Sequence, residues 1–201
     1  MLLQIGNLST KLIGPIDLCL EAGECVAIMG ASGSGKSLFL RAIADLDPNS
    51  GDLSLNERNR DVIPANDWRS RVAMVPAESG WWTDRVGDHF DLETGAGPLL
   101  DKIGLPHALD WQVMRLSTGE RHRLAIARAL VLKPQVLLLD EPTAALDEPA
   151  TAMIEQLMRE QLDNGVAILL VTHDRQQAVR MAIRTHIMVR GQFASPDRGA
   201  A

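Results

Sequence analysis

The segment Gly30-Ala31-Ser32-Gly33-Ser34-Gly35-Lys36-Ser37 decides the fold of this chain, because it fits the pattern Gly-x-x-x-x-Gly-Lys-Ser at every fixed position. Glycines have no Cβ, so they let backbone N–H groups turn inward around an anion. Lys36 can reach the β- and γ-phosphates of a nucleotide, and the Ser37 hydroxyl can bind Mg²⁺. We therefore expect this loop to hold phosphate groups together with a magnesium ion.

The sequence on either side of the loop fits a strand and a helix. Residues 25–29 form an uninterrupted apolar run, which is typical of a buried strand. Beyond the loop, apolar residues recur at helical spacing: Leu38, Phe39, Ala42, Ile43 and Leu46. In this order of elements, the positive N-terminal end of the helix dipole points at a bound phosphate.

The composition is that of an ordinary soluble globular protein. The 201 residues are 46% hydrophobic and 23% charged, which is enough for one sizeable core. No apolar run approaches the ~20 residues of a membrane-spanning helix. The net charge of −6 argues against a dedicated nucleic-acid-binding protein. Cys19 and Cys25 flank a turn-like segment and could face each other across a hairpin, although reduced thiols are the favoured interpretation.

Two later segments, residues 136–139 and 166–171, are continuously apolar, as strands buried on both faces of a sheet are. Between them an apolar stripe at helical spacing is formed by Met153, Ile154, Leu157, Met158 and Leu162. Strands that alternate with helices in this way require a mainly parallel sheet. The sequence therefore predicts an α/β fold.

Other segments predict additions to this core. Short apolar runs in residues 2–20 and the alternating residues 52–56 predict further strands with turns. Residues 77–115 are Gly-rich, carry three tryptophans and show no strong strand pattern, so we predict an inserted, mainly helical lobe. We treat the chain as one domain, with a core of about residues 1–76 and 134–201 and a lobe of about residues 77–133.

Two acidic residues and a histidine follow the buried strands. Asp140 and Glu141 end the first strand and His173 follows the second, and the carboxyl ends of parallel strands meet at one crevice. Asp140 can bind Mg²⁺, while Glu141, pointing the opposite way on an extended strand, can act as the general base on a water molecule. His173 can hydrogen-bond the γ-phosphate. The alternatives are ordinary exposed acids, and a bystander histidine beside a helix cap at Thr172 or Asp174.

The segment before Asp140 begins with Leu116-Ser117-Thr118-Gly119-Glu120, in which Ser117 and Glu120 fit a capping box. Capping boxes start helices in many proteins. Here, however, the helix that follows is rich in Arg, Ala and Ile and leads directly into the strand that carries the two acids. Residues 116–141 resemble the signature segment and Walker B strand of the ATP-binding cassette (ABC) family, whose usual form begins Leu-Ser-Gly-Gly-Gln.

The resemblance covers essentially the whole chain, because residues 144–147 resemble the family's D-loop and residues 171–174 its histidine switch. It implies a P-loop ATPase fold, with an N-terminal antiparallel β subdomain and a helical lobe inserted into a mainly parallel core. It also implies that two cassettes, identical or different, pair head to tail around two ATP molecules with Mg²⁺. Ser117 and Gly119 of one chain would then contact the γ-phosphate held by the other, while Lys36, Glu141 and His173 carry the catalytic roles.

Two departures from the family pattern concern the base and the magnesium ion. The family usually places an aromatic residue upstream of the phosphate loop to stack on adenine, but no aromatic residue precedes Phe39 in this chain. Leu12 or Ile13 could offer an aliphatic surface instead. An aromatic stack contributes about 1–3 kcal/mol per base. Because this chain lacks the upstream aromatic residue, we expect comparable affinities for ATP and GTP. Ala77 stands where the family has its Q-loop glutamine, and Glu78 is predicted to turn in beside Mg²⁺.

Three functions fit these features. The first is an ATP-hydrolysing subunit that lies on the inner, cytoplasmic face of the cell membrane, powers a separate permease and binds no nucleic acid. The second is a soluble cassette of the DNA-repair or translation type, and the third is a weakly active regulatory nucleotide-binding module. Trp81 and Trp82 lie where the family's cassettes meet a permease, and they either form that interface or pack inside the lobe. We favour the first function, because no long insertion or basic arm is visible and the catalytic set is intact.

Overall fold

Two β-sheets organise the chain in a computed structural model that describes residues 1–90 and 95–194. The first sheet contains β1 (Leu3–Ser9), β2 (Ile16–Leu20), β4 (Ser50–Leu55) and β5 (Arg58–Asn59). The second contains β3 (Cys25–Met29), β6 (Val72–Val75), β7 (Val136–Asp140), β8 (Ala167–Val171), β9 (Arg184–Val189) and β10 (Gln192–Phe193).

The second sheet confirms the predicted parallel core. Its strand order is β10-β9-β3-β8-β7-β6, and every pair is parallel except β10 with β9. The first sheet is antiparallel in the order β2-β1-β4-β5, as expected for the N-terminal strands. The hairpin across the two cysteines was wrong, because β2 and β3 belong to different sheets; both Cys19 and Cys25 are free thiols.

Six helices connect these strands in the described residues. They are α1 (Lys36–Ile43), α2 (Ala65–Arg71), α3 (Gly97–Lys102), α4 (Thr118–Val131), α5 (Glu148–Asp163) and α6 (Arg175–Met181). The predicted capping box starts α4, where Ser117 accepts from the Glu120 backbone and the Glu120 side chain accepts from the Ser117 backbone. Asp147 caps α5, and its Oδ1 accepts a hydrogen bond from the Ala150 N–H at 2.9 Å. None of the helices is long and apolar enough to cross a membrane within the described residues.

In the described residues of the predicted lobe, the helices before α4 are short. Before α4, its described residues contain one six-residue helix, α3, and three 3-10 turns at Val86–His89, Ala108–Asp110 and Val113–Arg115. Pro98 lies in the first turn of α3, whereas Gly104 and Pro106 follow the end of α3 and prevent a longer helix. Residues 91–94 of the predicted lobe and residues 195–201 of the predicted core lie outside the described residues.

The parallel sheet separates two apolar clusters. On one face, Leu137 and Leu139 of β7 pack with the lobe, α4 and α5. On the other face, Val136 and Leu138 pack with α1 and the antiparallel sheet. Trp68 of α2 is fully buried in this second cluster, and its Nε1 donates to the Ile43 carbonyl at 2.9 Å. The sheet is therefore covered on both faces, which leaves its carboxyl edge as the place for a ligand.

Candidate nucleotide site

The phosphate loop joins β3 to α1 in a backbone conformation that depends on glycine. Gly30, Gly33 and Gly35 have positive φ angles of 154°, 76° and 108°. A Cβ on Gly30 would lie 2.3 Å from the Met188 carbonyl oxygen, and one on Gly35 would lie 2.7 Å from Ile13 Cγ2. The loop therefore packs against β9 and against Ile13, between β1 and β2. Helix α1 begins at the end of the loop, and its first N–H groups are directed toward the loop.

Lys36 folds back over its own loop. Its Nζ donates to the Gly30 carbonyl at 2.8 Å and to the Ala31 carbonyl at 3.0 Å. Ser37 follows on the first turn of α1 with an exposed side chain, whereas Ser34 is buried and its Oγ has no partner among the described residues. An ammonium held at the mouth of a loop of N–H donors is placed to bind phosphate oxygens.

A cavity of about 540 Å³ lies over the loop at the carboxyl edge of the sheet. It brings the predicted residues from three separate segments together. Its lining is Gly30, Ser32, Gly33, Gly35, Lys36, Ser37, Leu38, Ala77, Asp140, Glu141 and His173. Ala31 and Ser34 line a second cavity, of about 260 Å³, on the other side of the loop with residues of β9.

Glu141 leaves the strand instead of extending it. Its φ of 53° is left-handed, and its N–H donates to the Val171 carbonyl of β8 at 2.9 Å. Because of this turn, Asp140 and Glu141 line the same cavity rather than pointing in opposite directions as expected. A non-glycine residue at positive φ is strained, and such strain is concentrated at functional sites.

His173 contacts Glu141 directly. The His173 Nδ1 lies 2.6 Å from Glu141 Oε2, and the His173 N–H donates to the same oxygen at 3.4 Å. Asp174 caps α6 by accepting a hydrogen bond from the Gln176 N–H at 2.8 Å, so the predicted helix cap is present. His173 nevertheless contacts Glu141 and is not a bystander beside this cap. If Nδ1 donates to the carboxylate, only a protonated imidazole can also donate from Nε2 to a phosphate oxygen.

Besides Ala31 and Ser34, four of the predicted residues do not line this cavity. Ser117 and Gly119 lie at the start of α4 instead, where a Cβ on Gly119 would be 3.1 Å from the Ala145 carbonyl oxygen. Glu78 is exposed and outside the lining, whereas Ala77 is part of it. Leu12 is 73% exposed on the N-terminal lobe. The roles given to these four residues therefore remain predictions.

Two buried polar residues near the site were missed by the sequence analysis. Gln177 of α6 is fully buried, and its Nε2 donates to Thr143 Oγ1 at 2.8 Å, which anchors the segment that follows Glu141. His122 of α4 is buried beside the loop that contains Ala77. Burial lowers the pKa of His122, against the opposing effects of the Asp140 charge and a hydrogen bond to the Ala77 backbone. His122 lies four residues before the apolar Ile126, so both residues are on the same face of the helix. This spacing was the signal that could have indicated the burial of His122.

The donor set of the cavity fits a magnesium ion. Ser37 provides a hydroxyl and Asp140 a carboxylate in the same lining, and both are the hard oxygen ligands that Mg²⁺ prefers. No group of three or more His, Cys, Asp or Glu side chains could hold a metal ion within residues 1–90 and 95–194. A magnesium ion would thus need phosphate and water oxygens in addition, which is its usual coordination.

Comparison with known proteins identifies the relatives of this arrangement. The family model described as "ABC transporter" matches residues 13–144. An aliphatic sulfonates import ATP-binding protein of Pseudomonas savastanoi pv. phaseolicola is 37% identical over 191 residues, which cover 94% of this chain and 69% of that protein. A lipoprotein-releasing system ATP-binding protein of Idiomarina loihiensis is also 37% identical, over 89% of this chain and 86% of its own length.

A similar solved structure is described as the structure of an ATP binding subunit of an ABC transporter. Its TM-score is 0.86 at 25% identity, and the match covers 97% of this chain and 89% of that one. The fold similarity therefore extends over both sheets and the lobe.

Proposed function

The chain belongs to the ABC transporter family, and on this premise we propose that it is the subunit that binds and hydrolyses ATP to drive transport through a separate permease. The observation that carries the proposal is the single cavity in which Lys36, Ser37, Asp140, Glu141 and His173 meet. These side chains provide a phosphate-binding cation, oxygen ligands for Mg²⁺ and a carboxylate base.

Each group has a separate task. Lys36 binds β- and γ-phosphate oxygens once its ammonium leaves the two carbonyls of its own loop. Ser37 and Asp140 would hold Mg²⁺, which neutralises charge on the phosphates. Glu141 accepts a proton from the attacking water, and His173 holds the carboxylate in place through its 2.6 Å contact.

We propose further that the working form is a head-to-tail pair of cassettes. Ser117 and Gly119 lie outside the lining of the phosphate cavity in their own chain, which supports a contact with the phosphate of another chain instead. The start of α4 supplies free N–H groups and the positive end of a 14-residue helix, both of which suit an anion. The second cassette is either a copy of this chain or a related one.

Glu141→Gln tests the enzymatic part of this proposal. The amide keeps the shape of the side chain but cannot accept the proton, so we expect ATP binding to be retained and hydrolysis to slow by about 10²–10⁴-fold. Phosphate release with Mg²⁺ and the permease present measures the rate, and calorimetry measures the binding. An unaltered protein that lacks ATPase activity beside its permease would contradict the proposal.

The permease contact is proposed at the surface of Trp81 and Trp82. Trp82 is 70% exposed and is therefore available for an interface. Trp81 is partly buried and packs inside the lobe. The Arg128 guanidinium lies 4.7 Å and 5.0 Å from the two ring centroids, and His89 packs edge-on against both rings. An exposed indole that is fixed by contacts with Arg128 and His89 suits a protein interface at the inner face of the membrane.

Trp82→Ala tests this contact. Because Trp82 lies outside the nucleotide cavity, we expect ATP binding to be unchanged and the amount of co-purified membrane subunit to fall several-fold, as for the loss of an exposed aromatic anchor. The matched control is Met114→Ala, which alters another exposed apolar side chain of the lobe. Equal recovery of the membrane subunit with Trp82→Ala and the unaltered chain would place the contact elsewhere.

A further inference from the structure

A separate cavity of about 450 Å³ opens beside the start of α4 and has no part in the functions given above. It is lined by Asp110, Trp111, Gln112, Arg115, Leu116 and Glu120. Its size falls in the range of small-molecule sites. Trp111 is 37% exposed and Arg115 is exposed, so an indole and a guanidinium are open to a ligand.

Glu120 connects this cavity to Ser117. It lines the cavity, and its Oε2 accepts hydrogen bonds from both the Ser117 N–H and the Ser117 hydroxyl at 2.8 Å. A ligand that reaches Ser117 with its phosphate end therefore passes directly beside the cavity. The carboxylates of Glu120 and Asp110 disfavour a second phosphate there, but they do not repel an uncharged aromatic group.

The phosphate loop has no Trp, Tyr or Phe partner for a base among the described residues of its own chain. Neither of the two cavities beside the loop has Trp, Tyr or Phe in its lining. Phe39 is fully buried and packs edge-on against Phe193, with 5.5 Å between ring centroids. Ile13 is buried under Gly35, which leaves the exposed Leu12 as an aliphatic surface.

We propose that the base of the nucleotide bound by one cassette stacks on Trp111 of a second copy of this chain, with Arg115 beside it. The proposal rests on the head-to-tail pairing proposed above, since only that pairing brings the start of α4 to another chain's nucleotide. It supplies in trans the aromatic face that is missing in cis. Stacking is tolerant of base identity because every base has a π face, so it fits the expected similar affinities for ATP and GTP.

The test uses ATP-dependent dimerisation in the Glu141→Gln background, in which bound ATP is not consumed. Sedimentation at a series of protein concentrations gives the dimer dissociation constant with saturating ATP. We expect Trp111→Ala to weaken the dimer by about 5- to 150-fold for each of its two stacked bases, and Trp111→Phe to recover most of the loss. The matched control is Met114→Ala, since Met114 is 81% exposed in the same segment and does not line the cavity.

The outcomes separate this inference from the proposed function. If the Glu141→Gln protein does not dimerise with ATP at all, two copies of this chain do not pair head to tail, and this inference fails, whereas pairing with a related cassette is untouched. If it dimerises and Trp111→Ala dimerises as tightly, only the base site is overturned.

A second measurement does not depend on the stability of a Trp111 variant. Photolabelling of the Glu141→Gln dimer with 8-azido-ATP should mark the segment that contains Trp111. Label near Leu12 without label in the Trp111 segment would overturn the inference.

Discussion

At the scale of single residues, Gly30 and Gly33 share one loop but have different surroundings. Both have positive φ angles, which L-residues with a Cβ rarely adopt. Only Gly30 is also crowded: a Cβ there meets the Met188 carbonyl oxygen at 2.3 Å, whereas no atom lies within 4 Å of a Cβ on Gly33. Gly30 therefore maintains the contact between the loop and β9, and Gly33 maintains only the turn.

Alanine at each position should separate these two effects. We expect Gly33→Ala to lower the free energy of unfolding by about 1–2 kcal/mol, the cost of the left-handed backbone. Gly30→Ala should cost about 2–5 kcal/mol, because an overpacking cost of about 1–3 kcal/mol is added. Urea denaturation measures both values. Equal losses would mean that the loop moves freely away from β9.

The residue pattern was sufficient to predict the loop and the meeting of Lys36, Glu141 and His173 in one cavity, since each is a chemical type at a fixed position. It could not predict the φ of 53° at Glu141, because an isolated glutamate after a strand is expected to extend it. Nor could it identify Gln177 as buried, since a glutamine on a short helix is more often exposed. Both depend on neighbours that are distant in sequence.

At the scale of elements, α4 joins the predicted phosphate contact of Ser117 to the core beside Asp140. Its capping box was predictable because both partners are three residues apart. The buried His122 is its unusual feature, because Nε2 of that ring has no hydrogen-bond partner in the described residues. Charging a histidine in such surroundings opposes folding.

This histidine should make stability depend on pH. Its pKa is lowered in the folded protein, so the unfolded chain binds the proton more tightly. Its stabilising contribution is therefore present above the unfolded pKa of about 6.5 and is lost as pH falls from there toward the folded pKa. A single proton can cause at most about 1.4 kcal/mol of change per pH unit.

His122→Gln should reduce this slope between pH 7.5 and pH 5.5 in urea denaturation. A residual slope should persist, because burial and the Arg184 charge also lower the pKa of His186. The control is the exposed His107→Gln. An unchanged slope in His122→Gln would show that the imidazole is not responsible.

At the scale of the whole molecule, an ion pair joins residues that are far apart in sequence. The Arg184 Nε donates to Glu24 Oε1 at 2.6 Å, and the Glu24 side chain is only 6% exposed. The same guanidinium also donates to the Cys19 carbonyl, so it connects β2, β3 and β9. The hydrogen bond to Glu24 raises the pKa of Arg184.

Arg184→Met should lower the free energy of unfolding by about 2–4 kcal/mol, because it leaves the Glu24 carboxylate buried without a counter-charge. This figure lies below the value for a fully buried pair, since the Arg184 side chain is 39% exposed. In a Glu24→Gln background the same change should cost much less. Denaturation of all four proteins in the cycle measures the coupling, with the exposed Arg175→Met as the control. Equal losses of unfolding free energy in both backgrounds would contradict the coupling between Arg184 and Glu24.

The general architecture could be predicted at this scale, since the long apolar runs of β7 and β8 are typical of strands buried in a parallel sheet. The short helices and 3-10 turns of the lobe could not be located from the sequence, because the absence of a strand pattern does not show where helices begin and end. The cavity lined by Trp111 could not be predicted either, since it depends on how 3-10 turns place residues beside the capping box.

The position of β3 has a consequence for biosynthesis. Cys25 pairs with Ile168 of β8 and Val26 pairs with Arg184 of β9, so both neighbours of β3 are made about 140 residues or more after it. At roughly 5–20 residues per second, a ribosome needs several to tens of seconds to supply them. The antiparallel sheet of β1, β2 and β4 can form meanwhile, because its partners all lie within the first 55 residues. The nucleotide loop is thus among the first segments translated and among the last to gain its supporting strands.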